Sequence, residues 1–117
     1  LVADELSGSE SIPIPIAAEL QATNNIGFQT PIATKHGRMV TLNGYIANLD
    51  GVSITTIATL PPGYRPSATI VVAVHGVSDR GVEFSRGLVV RPDGLVRMST
   101  LDFREIYLEG ITFPAAP

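Results

Sequence analysis

The sequence predicts an all-β domain, a small antiparallel β-sandwich or barrel, and three observations carry that expectation. Apolar and polar residues alternate at period two, with Val40, Leu42 and Ile46 set against Thr41, Asn43 and Tyr45, as in a half-buried strand. Turn signals built on Pro and Gly recur between such runs, at Asp50-Gly51, Pro61-Pro62-Gly63 and Pro92-Asp93-Gly94. No stretch keeps an amphipathic helical period.

Composition narrows the class. A chain of 117 residues makes one domain, and with 44% hydrophobic and only 16% charged residues it is apolar for a soluble monomer of that size. Association with other copies would hide such surface. A net charge of −3 argues against nucleic acid, which wants a basic face, and against electrostatic binding to an anionic membrane. No apolar run is long enough for a membrane-spanning helix, so insertion is not expected. There is no cysteine, hence no disulfide framework and no thiolate metal site. The chain starts at Leu1 without a signal pattern and reads as a piece of a longer protein.

Residues 1–23 read as an extended lead-in or neck from an upstream stalk, and residues 24–117 as the β head. The first ten residues are acidic and carry Ser and Gly, without apolar period. Ile12, Ile14 and Ile16 alternate with Pro13 and Pro15, which forbids a helix or a central strand and leaves an edge-like segment. Those isoleucines either pack on their own domain or wrap a neighbouring subunit, and the second reading is preferred. A short strand over residues 26–32, interrupted by Pro31, follows the Asn24-Asn25 turn. Residues 35–37 turn into a strand over 38–49, with Gly44 as a bulge or close approach. Asp50-Gly51 leads into a strand over 53–60.

The chain is organised around residues 55–74, two β-rich runs treated as a hairpin about Leu60-Pro61-Pro62-Gly63-Tyr64. Pro61 and Pro62 lack amide donors, Gly63 tolerates positive φ, and Pro66 pushes Arg65 toward extended backbone. Tyr64 is expected to lay its ring on the sheet end with its hydroxyl wet, and Arg65 to hydrogen-bond loop carbonyls. Residues 68–74 are apolar on both faces, so one face is expected to meet the core and the other a second layer or another copy. A polar loop at 75–81, a strand over 82–90, a turn at 91–94, its return over 95–100, and strands at 105–108 and 111–113 complete the sheet.

The two histidines, His36 and His75, fit no metal-ligand spacing such as H-E-x-x-H, and no nucleophile motif occurs, so neither a metal nor another cofactor is expected. The carboxylates Asp79, Glu83, Asp102, Glu105 and Glu109 could in principle supply a glycosidase pair, although scattered acidic residues are more often solvated charges. The candidate binding residues are His75, Asp79 and Arg80 in one loop and Asp102, Arg104 and Glu105 in another. Carboxylate, guanidinium and imidazole are groups that hold sugar hydroxyls and phosphate oxygens. The alternative is a pair of polar loops that hydrogen-bond themselves. If successive strands pair in an up-and-down path, both loops fall at the same end of the sheet. Phe103 is either core or a stacking platform, and Tyr45 and Tyr107 either stack on a sugar or cover an interface.

The runs HGRMVTLNGYI, TIATLPPGYRP, VVRPDGLVRMS and IYLEGITFPA, in that order, resemble the C-terminal head domain of tail-fibre or receptor-binding proteins of tailed bacteriophages, especially those of Gram-positive hosts. The resemblance spans about residues 27–115. It departs at a tryptophan common in that family before the last strands, since this chain has none. The resemblance implies a homotrimeric, non-enzymatic adhesion module of the virion tail tip. Its implied partners are other copies of itself, an upstream stalk and tail baseplate, and a host cell-wall saccharide or teichoic-acid-like phosphorylated polymer. The alternatives are a purely structural trimerisation cap and, less favoured, a glycan-cleaving enzyme.

Overall fold

Two antiparallel sheets face each other, and the chain passes between them where glycine lets the backbone turn sharply. The structure, a computed structural model, describes residues 9–18, 20, 30–48, 55–78, 80–98 and 103–117. Among these lie ten strands: β1 (Ser9–Pro13), β2 (Ile32–His36), β3 (Met39–Asn43), β4 (Tyr45–Ala47), β5 (Thr56–Thr59), β6 (Ile70–Ser78), β7 (Glu83–Val90), β8 (Leu95–Met98), β9 (Phe103–Tyr107) and β10 (Ile111–Pro114). One sheet runs β1-β2-β3-β10 and the other β4-β9-β6-β7-β8-β5. The all-β class read from the sequence is the class observed, and no helix occurs among the described residues.

Alternation decides which side chains meet between the sheets. Val40 and Leu42 of β3, with Ile111 and Phe113 opposite them on β10, are buried, while Thr41 and Thr112 point away. The six-stranded sheet contributes Ile46, Leu88, Val90, Val96, Met98 and Ile106 to the same core. Each fully buried side chain of this size stabilises the fold by roughly 1.5–3 kcal/mol.

Gly44 separates β3 from β4 and moves the chain from one sheet to the other. Its φ is +120°, and a Cβ placed there would lie 2.5 Å from the Pro31 Cα, so only glycine fits. The return crossing lies alongside, because the Leu108 amide donates to the Gly44 carbonyl at 2.7 Å. β3 pairs with β10 and β4 with β9, so one bent pair of chain segments joins the two sheets at this corner. The break at Gly44 also changes which way its neighbours face. Tyr45, placed by alternation on a polar face, is buried, and all three residues of β4 are buried.

The first described segment is part of the fold. β1 pairs with β2, Ile14 is buried in the core, and Ile12 and Ile16 pack partly buried against it. Beyond β1 the chain changes sheets: Thr59 N–H donates to the Pro15 carbonyl, Ala17 N–H to the Ile57 carbonyl, and Ile16 bridges Ala58. This segment therefore covers the free edge of β2 with one half and that of β5 with the other, and its isoleucines are used within the chain.

The hairpin expected about residues 60–64 is a crossover. β5 pairs with β8, while β6 is separated from β5 by both β8 and β7 and pairs with β7 and β9. With β6, β7 and β8 in sequence and β5 returned beside β8, the path is a Greek key and not up-and-down. The connector is fixed at both ends, which carries it across the sheet end instead of back along β5. Leu60 N–H donates to the Gly94 carbonyl at 2.8 Å, Arg65 Nε to the Leu60 carbonyl at 2.7 Å, and Ala116 N–H to the Arg65 carbonyl at 2.7 Å. Arg65 thus has the structural role expected of it. The Tyr64 ring is buried, but its hydroxyl is not left to water: it donates to Glu10 Oε1 at 2.7 Å, and Lys35 Nζ lies 5.7 Å from the ring centroid.

Candidate functional site

Strand β6 runs to Ser78, so His75 belongs to a strand, not to the polar loop expected at 75–81. Partners on both sides hold it there, with β7 and β9 each supplying backbone hydrogen bonds. In the same way Phe103, Arg104 and Glu105 open β9 and are not loop residues. Phe103 is fully buried, which assigns it to the core and not to a stacking platform.

Strand pairing brings the β6–β7 connection and the start of β9 to one end of the six-stranded sheet. Val77 lies opposite both Glu83 and Glu105, and Ser78 opposite Phe103. The common end expected from an up-and-down path is reached by another route, the antiparallel placement of β9 beside β6. Asn48 secures the start of β9, its buried side-chain amide donating to the Phe103 carbonyl at 3.1 Å and its backbone N–H to the Arg104 carbonyl at 2.7 Å.

Period two then puts Glu105 and Tyr107 on the face of β9 that points away from the core, and register aligns Tyr45, Tyr107 and His75 across β4, β9 and β6. The Tyr45 and Tyr107 ring centroids are 5.8 Å apart, and Tyr107 stacks on His75 at 5.6 Å with an interplanar angle of 23°. Glu105 accepts from both phenols, Oε2 from Tyr45 at 3.0 Å and Oε1 from Tyr107 at 2.6 Å. His75 Nε2 lies 3.3 Å from Glu83 Oε1, with both side chains open to solvent. Burial and then the hydrogen bond to Glu105 raise the Tyr45 and Tyr107 pKa values above the usual phenol value, so both stay neutral donors at ordinary pH.

The other residues expected to bind a ligand fall around this row. Arg80 is exposed at the tip of the β6–β7 connection, where its backbone N–H donates to Ser78 Oγ at 3.3 Å. Arg104 is exposed, and its Nη2 lies 3.8 Å from where a Gly81 Cβ would stand, so the start of β9 lies beside the β6–β7 connection. Asp79 and Asp102 lie outside the described residues. From the sequence alone Glu83 is one of several possible acids, and Tyr45 and Tyr107 are not joined to the site. The spacing of Glu105 and Tyr107 is a local signal for a shared face, but the cross-strand register that adds His75 and Tyr45 is not written in any one segment.

An exposed imidazole stacked on Tyr107, which in turn lies tilted against Tyr45, with two carboxylates and the Arg104 guanidinium nearby, offers a flat apolar face beside hydrogen-bonding groups. Among the described residues no group of three or more His, Asp or Glu could hold a metal ion. Both Glu105 oxygens accept hydrogen bonds from tyrosines, which fixes the carboxylate in place.

No protein-family model matches the chain, and no curated protein sequence matches it. Among solved structures, the chain is similar to the receptor binding protein (gp15) of Listeria phage PSA, with a TM-score of 0.74 at 19% identity over 99% of this chain and 71% of that one. At that identity the likeness is one of fold, and it extends over the whole length for which the sequence resembles phage receptor-binding heads.

Proposed function

We propose that this chain is a receptor-binding module of a bacteriophage tail tip, carried on the virion, and that it adheres to a saccharide or phosphorylated polymer of the host cell surface without cleaving it. The observation that carries the proposal is the pair Tyr107 and His75, backed by the buried Tyr45 and rimmed by Glu105 and Glu83, at one end of a fold shared with a phage receptor-binding protein. Sugar rings present C–H faces to aromatic groups and hydroxyls to carboxylate, imidazole and guanidinium, and this end of the sheet supplies all of them. Each such hydrogen bond contributes a net of about 1 kcal/mol, so useful strength comes from many copies binding one cell together.

Those copies are grouped as a homotrimer in this proposal. Val71 is 67% exposed on the outer face of β6, with Ala73 exposed beside it. That face is the second apolar side expected of residues 68–74, and no second layer of the described chain covers it. A neighbouring copy seated on this face would take Val71 and Ala73 out of water.

Adsorption of the purified protein to host cells tests the function. His75→Ala, Asp79→Ala and Arg104→Ala should each weaken adsorption with little change in melting temperature. Parental adsorption by all three would place receptor recognition elsewhere and favour a structural cap. Release of reducing sugar from host envelopes would instead support an enzyme.

A further inference from the structure

At the other end of the outer face of the six-stranded sheet lies a groove of about 480 Å³ lined by Thr55, Thr69, Val89, Arg91, Arg97 and Met98. This volume is in the range of ligand pockets, roughly 300–1,000 Å³. Cross-strand register explains how the lining assembles. Val89 sits opposite Arg97 on β8 and opposite Val71 on β6, and Thr56 of β5 lies on the far side of Arg97, so an apolar floor adjoins a guanidinium. Arg91 leaves β7 at the turn, where its Nη2 donates to Asp93 Oδ2 at 2.8 Å while Asp93 Oδ1 accepts from the Leu95 N–H at 3.2 Å. The turn thus holds Arg91 in place and commits one of its five N–H donors. The floor is tied as well, since the Met98 N–H donates to the Thr55 carbonyl at 2.9 Å.

The two ends of this face differ in their balance of charge. At the end with the tyrosine row Glu83 and Glu105 are accompanied by Arg80 and Arg104, whereas at the groove Arg91 and Arg97 are accompanied by Asp93. From Glu83 to Val89 along β7 is about 20 Å, at roughly 3.3 Å per residue. Two guanidinium groups against one carboxylate leave the groove with an excess of positive charge that favours an anion.

We propose that the groove is a second ligand site, separate from the tyrosine row, which takes an oxyanion, carboxylate or phosphate, on a small carbon frame such as an acidic or phosphorylated sugar unit. The guanidinium groups of Arg97 and Arg91 hold the anion through paired N–H donors. Val89 meets the carbon frame, and the Thr55 and Thr69 hydroxyls exchange hydrogen bonds with its hydroxyl groups. The site stands whether or not the tyrosine row binds a receptor.

Amide chemical shifts of the intact chain, followed during titration at constant ionic strength, test this. The probes are glucuronate and glycerol 3-phosphate, with glucose and glycerol as neutral counterparts. Anion-dependent shifts are expected at Thr69, Val89 and Arg97, weakened about tenfold by Arg97→Gln and unchanged by His75→Ala. The more effective anion tells carboxylate from phosphate. The site is refuted if neither anion shifts those amides, if neutral sugars shift them equally, if all arginine segments respond alike, or if Arg97→Gln binds as the parent does.

Discussion

The Tyr107 hydroxyl donates to Glu105 Oε1 across 2.6 Å, two residues back on the same face of β9. Two positions on a strand are the shortest spacing that keeps side chains on one side of a sheet, so the carboxylate and the phenol it orients come from one local segment. Tyr45 reaches the other carboxylate oxygen from β4, which turns a local pair into a cross-strand one.

All three tyrosines of the chain have raised pKa values: Tyr64 is pushed up to about 12 by burial and then by its bond to Glu10, and Tyr45 and Tyr107 are raised by burial and by Glu105. An ultraviolet titration of the folded chain should show no phenol ionising near the ordinary value of 10.0. Glu105→Gln should bring Tyr45 and Tyr107 part of the way back and leave Tyr64 where it is.

The same shifts set the alkaline limit of stability. With folded pKa values above unfolded ones, the unfolded chain binds fewer protons once pH passes 10.0, so stability must fall as pH rises. The contribution is fully present below 10.0 and lost progressively through about 12 for Tyr64. Melting temperature should be insensitive to these groups at neutral pH and decline above 10.0. Tyr64→Phe should make that decline shallower.

Gly94 has φ +92°, and a Cβ there would lie 2.4 Å from the Leu60 carbonyl oxygen and 2.5 Å from Arg65 Nε. Gly94→Ala should therefore cost both backbone strain and the connector's anchor, about 3 kcal/mol in urea unfolding. Gly37, at φ +61° with nothing within 4 Å of a Cβ, supplies the control. Gly37→Ala should cost only the strain, roughly 1–2 kcal/mol.

Ile14→Ala removes a side chain buried in its own domain and should cost about 2–4 kcal/mol, independent of protein concentration. Val71→Ser should do the reverse, lowering the mass measured by light scattering while leaving the stability of a single copy nearly unchanged. A monomeric mass for the parent at micromolar concentration would remove the homotrimer.

The sequence by itself determined what depends on neighbours along the chain. The alternation of Val40 and Leu42 with Thr41, the turn residues at Pro92-Asp93-Gly94, the edge character imposed by Pro13 and Pro15, and the break at Gly44 follow from side-chain direction, proline's missing donor and glycine's conformational freedom. The resemblance carried by TIATLPPGYRP belongs here too, because that connector is a local device. Tertiary structure decided which strands became partners. Nothing in residues 55–74 states that β5 will lie beside β8, since that choice is made by which pairing buries Ile57, Val90, Val96 and Met98 together. The same holds for Ile14, whose destination in its own core rather than a neighbour's depends on β2 and β5 both offering an edge. The row of Tyr45, Tyr107 and His75 is the clearest case. Its members are separated by 30 and 32 residues in the chain, and only the register of β4, β9 and β6 sets their rings side by side.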